Sequence, residues 1–519
     1  MLRQRLSATP ILDFALRKLS IERGLNPFRF YFAKRSRGGS LRCSALIVAG
    51  TVSCLFVCSS ARAQDLFDLF MSPSDEARIG REEHPKILEE FGGLYADSKI
   101  SSYVNSIGNF LVHTSETPNA RFTFTVLNTP LVNAFALPGG YVYVTRGILA
   151  LASNEAELAG VIAHEIGHVT ARHSADRIGN SVLANLGLAV LGTVTGNSVL
   201  HKVGEVGAFA AVQAYSRDDE FEADQLGVRY LARAGFLPRA VSTFLRKLEA
   251  HSRLEAKIRG VAPEQGFDFF ATHPRTEKRV TRAVELARDH GVMDPIVASK
   301  LYLSKIDGLL FGDDPKQGFV RGNSFIHPVL RFEFVVPDGF TILNGQKIVV
   351  AKGKDGEALQ FDFDNRGGQS VENYLRNDWA QGQALSGLET LKINGLPAAT
   401  AVIHPRGGSG NIVLRLVAIG FDSRLIYRFL FATPNNFSKE RRRKVEHTAL
   451  SFRRLSNAEA LTVKPLRIAL HRVTDGDTQE KLAQRMAVSS FKLERFRVLN
   501  AIDSNVRLDV GRLVKLVLE

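Results

Sequence analysis

Residues 163–173, AHEIGHVTARH, constrain this chain more than any other stretch. On an α-helix, at about 100° per residue, His164 and His168 fall about 40° apart on one face and one turn apart, so two imidazoles reach a single ion. Glu165 sits about 100° round from His164, adjacent but not collinear, where a general base stands. The pattern is H-E-x-x-H. AELAGVIA (156–163) contains no helix breaker, and Asn154 is the expected N-cap of a helix running through Arg172. Gly167 costs about 1 kcal/mol of helix stability relative to alanine, which predicts close packing against another backbone. Continued at the same pitch, the helix turns His173 about 180° from His164, so that histidine is expected to face away in a structural role.

A catalytic zinc needs a third protein ligand and an open position. The three cysteines, Cys43, Cys54 and Cys58, all lie in an N-terminal segment of another character. There a basic stretch, AKRSRGGSLR (33–42), precedes an apolar run, CSALIVAGTVSCLFVC (43–58), and then SSARAQ (59–64), with Ala61 and Ala63 in an A-x-A cleavage pattern. Residues 1–63 are therefore expected to be a signal segment that directs export to the periplasm or cell envelope, cleaved or retained as an anchor. The mature chain then has no cysteine, and a metal site must use histidine and carboxylate. The same segment explains the charge. It holds eleven Lys/Arg and two Asp/Glu, leaving 56 basic against 51 acidic residues elsewhere. The remaining chain is only mildly basic, which argues against a nucleic-acid partner.

SRDDEFEADQLG (216–227) offers the carboxylates. On a helix Glu220 and Asp224 share a face, whereas Glu222 lies about 200° from Glu220 and points away.

Around these motifs the chain divides. Residues 64–311 are mainly helical, with a small sheet from FTFTVL and YVYVT and a Pro138-Gly139-Gly140 turn. Residues 312–323 (GDDPKQGFVRGN) are polar and linker-like. Residues 324–455 alternate as short strands with helices near 371–381 and 436–450, an α+β domain with an antiparallel sheet and no evident chemistry. Residues 456–519 form a last small unit. The fold class is thus α+β multidomain.

Four segments in order, NAFALPGGYVYVTRGIL, EAELAGVIAHEIGHVTARH, YSRDDEFEADQLG and THPRTEKR, resemble the zinc metalloproteases of the HtpX/BepA type, relatives of the CAAX prenyl proteases, over about residues 75–310. The resemblance implies a gluzincin-type fold and one Zn2+ per chain, held by His164, His168 and Glu220. It makes Glu165 the base and Asp224 a partner of a ligand histidine. It places His273 and Arg279 in a His-Pro loop, with His273 stabilising the oxyanion or filling the open zinc position at rest. Asn133, Ala134, Phe135 and Ala136 become the edge strand that pairs with substrate. Membrane relatives carry extra spans; here residues 181–200 are too polar for one and are expected to form a hairpin over the cleft, with possible peripheral membrane contact. The last unit, with RVTDGDTQEKLAQRMAV (472–488) and DVGRLVKLVL (509–518), is similar to a LysM module, βααβ, which implies peptidoglycan as a partner.

The function expected is an exported zinc endopeptidase acting on unfolded, misfolded or misassembled envelope polypeptides. The alternatives are a chaperone or scaffold holding clients without turnover, and a peptidoglycan peptidase.

Overall fold

The computed structural model describes residues 72–175, 177, 214–260, 269–274, 277–403 and 412–519. The expected signal segment, its cysteines and the 181–200 hairpin lie outside the described residues. No helix of the described residues is long and apolar enough to cross a membrane. The chain is α+β throughout and separates into two compact units.

The first unit contains 72–333, 344–347 and 454–519. It opens with α1 (Pro73–Glu90), started by a Ser72/Asp75 capping box, and α2 (Ser98–Val112), capped by Asp97. Strands β1 (Thr123–Leu127), β2 (Ala134–Leu137) and β3 (Tyr141–Thr145) form a sheet of order β1-β3-β2. β1 runs parallel to β3, and β2 antiparallel. The outer edge of β1 is closed: the Tyr95 backbone amide donates to the Val126 carbonyl at 2.9 Å and the Asn105 side-chain Nδ2 to that of Phe124 at 3.1 Å. The outer edge of β2 faces the motif helix.

After α3 (Arg146–Leu151) comes α4 (Glu155–Thr170), the helix of the opening motif. The Asn154 side chain accepts from the Glu157 amide at 2.9 Å, capping it. Every residue from Ala156 to His168 is buried, and each of Leu158, Val161, Ile162 and Ile166 adds about 1.5–3 kcal/mol by leaving water. The helix stops at Thr170, before Arg172, which adopts φ 61°. α5 (Arg217–Arg233), α6 (Ala240–Arg259), α7 (Phe269–Thr272) and α8 (Glu277–Asp289) follow.

The second unit, 334–343 and 348–453, is built on a seven-stranded sheet. Its strands are β4 (Thr341–Asn344), β5 (Val349–Lys352), β6 (Ala358–Asn365), β7 (Leu385–Ile393), β8 (Leu396–Ile403), β9 (Ile412–Gly420) and β10 (Leu425–Pro434). The order is β7-β8-β9-β10-β6-β5-β4. The pairings from β7 to β5 are antiparallel. A helical turn bearing Tyr374 and Trp379 packs on small residues of the central strands, including Ala399 and Ala401. The α9 helix (Lys439–Leu450) carries the basic run, in which Arg441 pairs with Asp355.

The chain then returns to the first unit as β11 (Arg467–Arg472), α10 (Gln479–Gln484), α11 (Lys492–Asn500) and β12 (Leu513–Leu518). β11 and β12 pair antiparallel. Leu482, Met486, Phe496 and Leu516 belong to the same buried cluster as Ile162 and Ile166 of α4. Residues 308–311 extend the joint, with the Phe311 amide donating to the Leu466 carbonyl at 2.8 Å. In the stretch 312–323 the Gly312 carbonyl accepts from the buried Arg146, and Asp314 from Asn128.

Candidate metal centre

α4 and α5 meet through two glycines. A Cβ on Gly167 would stand 3.1 Å from the Ala223 carbonyl oxygen, and one on Gly227 3.2 Å from the His164 amide nitrogen. Both gaps are tighter than ordinary side-chain packing, so only hydrogen at these positions lets the two helices come this close. That contact brings Glu220 under the histidine pair.

His164 Nε2 lies 3.1 Å from His168 Nε2. Glu220 approaches with Oε2 3.7 Å from His164 Nε2 and Oε1 3.5 Å from His168 Nε2. His273 enters just beyond α7, its Nδ1 3.3 Å from His164 Nε2 and 2.8 Å from Glu220 Oε1. All four are buried and can hold a metal ion, their donor atoms lying within 4.8 Å of one another. Donors about 2.0–2.1 Å from a tetrahedral zinc stand about 3.3 Å apart. The separations and the nitrogen and oxygen donors therefore fit one zinc ion.

Behind the donors lies a layer of buried charge. Asp224 Oδ1 is 3.1 Å from His164 Nδ1. Arg279 grips Asp224 with Nε at 2.7 Å and Nη2 at 2.8 Å, and places Nη1 2.5 Å from Glu220 Oε2. The Arg279 guanidinium is thus buried and turned to the two carboxylates. Burial opposes the ionised form of both acids, but His273 and Arg279 outweigh it at Glu220, holding that carboxyl well below its usual range. At Asp224, burial is likewise overcome, by Arg279 and His164. Burial also drives the His168 pKa well down and keeps the ring neutral, as a ligand requires.

Glu165 differs. It is fully buried and, among the described residues, neither carboxylate oxygen has a hydrogen-bond partner. Burial raises its pKa, against the pull of His273 and His164. His273 Nε2 is 3.5 Å from Oε1.

Of the edge-strand residues, the Ala134 carbonyl accepts from His273 Nε2 at 3.2 Å. The Ser174 and Tyr215 hydroxyls lie 3.2 and 3.4 Å from the Ala136 carbonyl. Phe135 packs on Phe91 and Tyr143. The Asn133 carbonyl pairs with the Thr145 amide, and its side chain accepts from Thr272. Both ring nitrogens of His273 thus face acceptors, and its pKa is raised, the carboxylates of Glu220 and Glu165 prevailing over burial.

Two further residues join the centre. The Tyr215 ring stacks on His168, centroids 3.7 Å apart. His173 is buried with Nδ1 2.9 Å from His168 Nδ1. Extrapolated helix pitch had turned His173 away. The helix ends before it, and the left-handed Arg172, held by Glu76 at 2.8 Å, brings the chain back. Tyr215 directly precedes the acidic motif, a position that periodicity does not single out.

Residues 98–287 match the profile of Peptidase family M48. Over this stretch the chain is similar to the metallopeptidases of family M48. The stretch contains every residue of the centre, and the resemblance to the HtpX/BepA-type zinc proteases stands. The chain is 31% identical over 277 residues to the "Beta-barrel assembly-enhancing protease" of Escherichia coli O157:H7, covering 50% of this chain and 55% of that one. It is 29% identical over 214 residues to the "Mitochondrial metalloendopeptidase OMA1" of Schizosaccharomyces pombe, covering 40% and 60%. Against the protein of that name from Arabidopsis thaliana the identity is 36% over 167 residues, 32% of each chain. The matches to the first relatives thus span little more than half their length.

Proposed function

We propose that this chain is an exported zinc-dependent endopeptidase that hydrolyses peptide bonds in misfolded or misassembled envelope proteins. The observation that carries the reading is Glu165, a buried carboxylate whose oxygens have no hydrogen-bond partner among the described residues, set beside a histidine, histidine and glutamate donor set that fits zinc. Zinc bound there supplies a water of pKa about 7 and polarises the scissile carbonyl. Glu165, adjacent to the ligand His164 on α4, would take the proton of that water and later deliver it to the leaving amine. Asp224 fixes the His164 ring, and Arg279 keeps Asp224 and Glu220 ionised. The outer edge of β2, which pairs with no strand among the described residues, takes an extended peptide by strand addition. Its Ala134 and Ala136 carbonyls are held by His273, Ser174 and Tyr215, so this is a resting arrangement that substrate displaces, and His273 is then free to face the oxyanion.

The envelope setting draws on the expected signal segment and on the name of the Escherichia coli relative. A gluzincin-type domain and a LysM-like terminal module complete the reading. The terminal strand, helix, helix, strand order and the exposed turn at Asp475–Gly476 support a peptidoglycan contact there.

The test is the zinc-loaded mature chain assayed on casein and on muropeptides, with and without a chelator. Casein is expected to be cut, the activity to vanish on chelation, and zinc to restore it. Binding of casein without turnover would support the scaffold reading instead, and cleavage of muropeptides alone the peptidoglycan peptidase.

A further inference from the structure

Beyond the donor set, the side of His168 facing away from it leads to the surface through two residues. His168 Nε2 points into the cluster and Nδ1 meets His173 Nδ1 at 2.9 Å. On the far side of the second ring, His173 Nε2 is 3.4 Å from Glu222 Oε2, and the Glu222 side chain is 61% exposed. We infer that Glu222, His173 and His168 form a hydrogen-bonded relay that fixes the tautomer and orientation of His168, with His173 as its positioning residue. The inference rests on the zinc reading above.

The direction of each bond follows from the chemistry of the end groups. A histidine that ligates through Nε2 has its lone pair there and must carry its proton on Nδ1. His168 Nδ1–H then donates, and His173 Nδ1 accepts. A neutral His173 accepting at Nδ1 carries its proton on Nε2, which is the atom that faces the Glu222 carboxylate. The three groups therefore agree in one sense only. In the opposite sense His173 would donate from Nδ1, the His168 proton would move to Nε2, and the donor atom would be lost. The surroundings hold the rings in place: Tyr215 stacks on His168, and the Arg172–Glu76 ion pair anchors the backbone next to His173. His164 has a shorter version of the same device, with Asp224 directly on its Nδ1. The two ligand histidines are thus oriented by carboxylates in different ways, one at first remove and buried, the other through an intervening imidazole and open to solvent.

The test measures zinc dissociation constants by competition with a chelator on the full mature chain, together with nitrogen-15 spectra of the histidine rings. His173→Phe removes the acceptor and is expected to weaken zinc binding about 10–100-fold. His173→Asn places an amide oxygen near the lost Nδ1 and is expected to restore affinity to within about threefold of wild type, a rescue that simple loss of packing would not give. Glu222→Gln, a surface change that leaves folding intact, is expected to weaken zinc by about two- to fivefold. The spectra of the zinc-loaded chain should show His173 protonated at Nε2 and bare at Nδ1. Wild-type affinity in His173→Phe, no rescue by His173→Asn, or a His173 proton on Nδ1 would overturn the relay. In those cases the wild-type chain still binds zinc; failure of the wild-type chain to bind zinc overturns the functional reading itself.

Discussion

The helix α4 carries a buried cluster of charge at each end, and the two are built to opposite rules. At its N-terminal end Lys515 of the last strand donates to the carbonyls of Ala150, Leu151 and Ala152 at 2.7, 3.1 and 2.7 Å. Beside it Lys247 donates to the Leu151 carbonyl at 2.9 Å, to the Ser153 hydroxyl and to Glu157 Oε2 at 3.2 Å. Glu157 also accepts from the Ser153 amide at 2.8 Å. These bonds tie off the last carbonyls of α3 and the entry to α4, groups that would otherwise be costly to bury. At the C-terminal end the donors converge on one another and the Glu165 oxygens have no hydrogen-bond partner. The difference teaches where to look for chemistry. On this helix the charge at the N-terminal end is matched with partners, whereas Glu165 at the other end keeps its bonding valence in reserve among the described residues.

Substitutions at the two ends sharpen that contrast. The largest effect is expected from Glu165→Gln. Turnover of an unfolded substrate should fall about 10²–10⁴-fold, with one zinc per chain retained and no loss of thermal stability; a variant that cuts at the normal rate means another group is the base. Lys515→Met should do the reverse. It leaves the Ala150 and Ala152 carbonyls short of their lysine donor, Leu151 keeping Lys247, and should cost about 3 kcal/mol in denaturant unfolding, while specific activity per folded, zinc-loaded molecule holds. A Lys515 variant of wild-type stability that lost its turnover would erase the distinction between the ends. Gly227→Ala tests what joins the helices. The added methyl meets the His164 backbone, so chelator competition should show zinc bound about tenfold more weakly at a stability cost of about 1–3 kcal/mol; unchanged affinity would mean that the close approach of α4 and α5 does not set the donor geometry.

Much of the centre was legible because it obeys local periodicity. His164 and His168 fall one turn apart on α4, Glu220 and Asp224 one turn apart on α5, and the odd Gly167 turned out to mark the contact between the helices. Asn154 caps α4, as its side chain and position promised. What was not legible depends on chain reversals and on distant partners. His173 follows a helix that ends three residues earlier, so pitch no longer predicts its direction. Glu222 does point away from Glu220, yet its carboxylate meets His173 beyond the cluster. The resemblance placed Arg279 in a His-Pro loop, and only the folded arrangement of α5 and α8 shows its charge spent on Asp224 and Glu220. Lys515 lies more than 360 positions from the carbonyls it binds, a pairing without any sequence signature. In the second unit, strand β7 is a sheet edge, largely exposed along its length and without a clean two-residue alternation, so its residues carry little strand signal.

The central claim is that His164, His168 and Glu220 converge on one zinc ion. The direct measurement is zinc content and X-ray absorption of the purified mature chain beside His164→Ala. The account predicts one zinc per chain, bound by nitrogen and oxygen at about 2.0–2.1 Å, and its loss in the variant. A wild-type chain that takes up no zinc, or a His164→Ala chain that keeps it in full, would contradict the account.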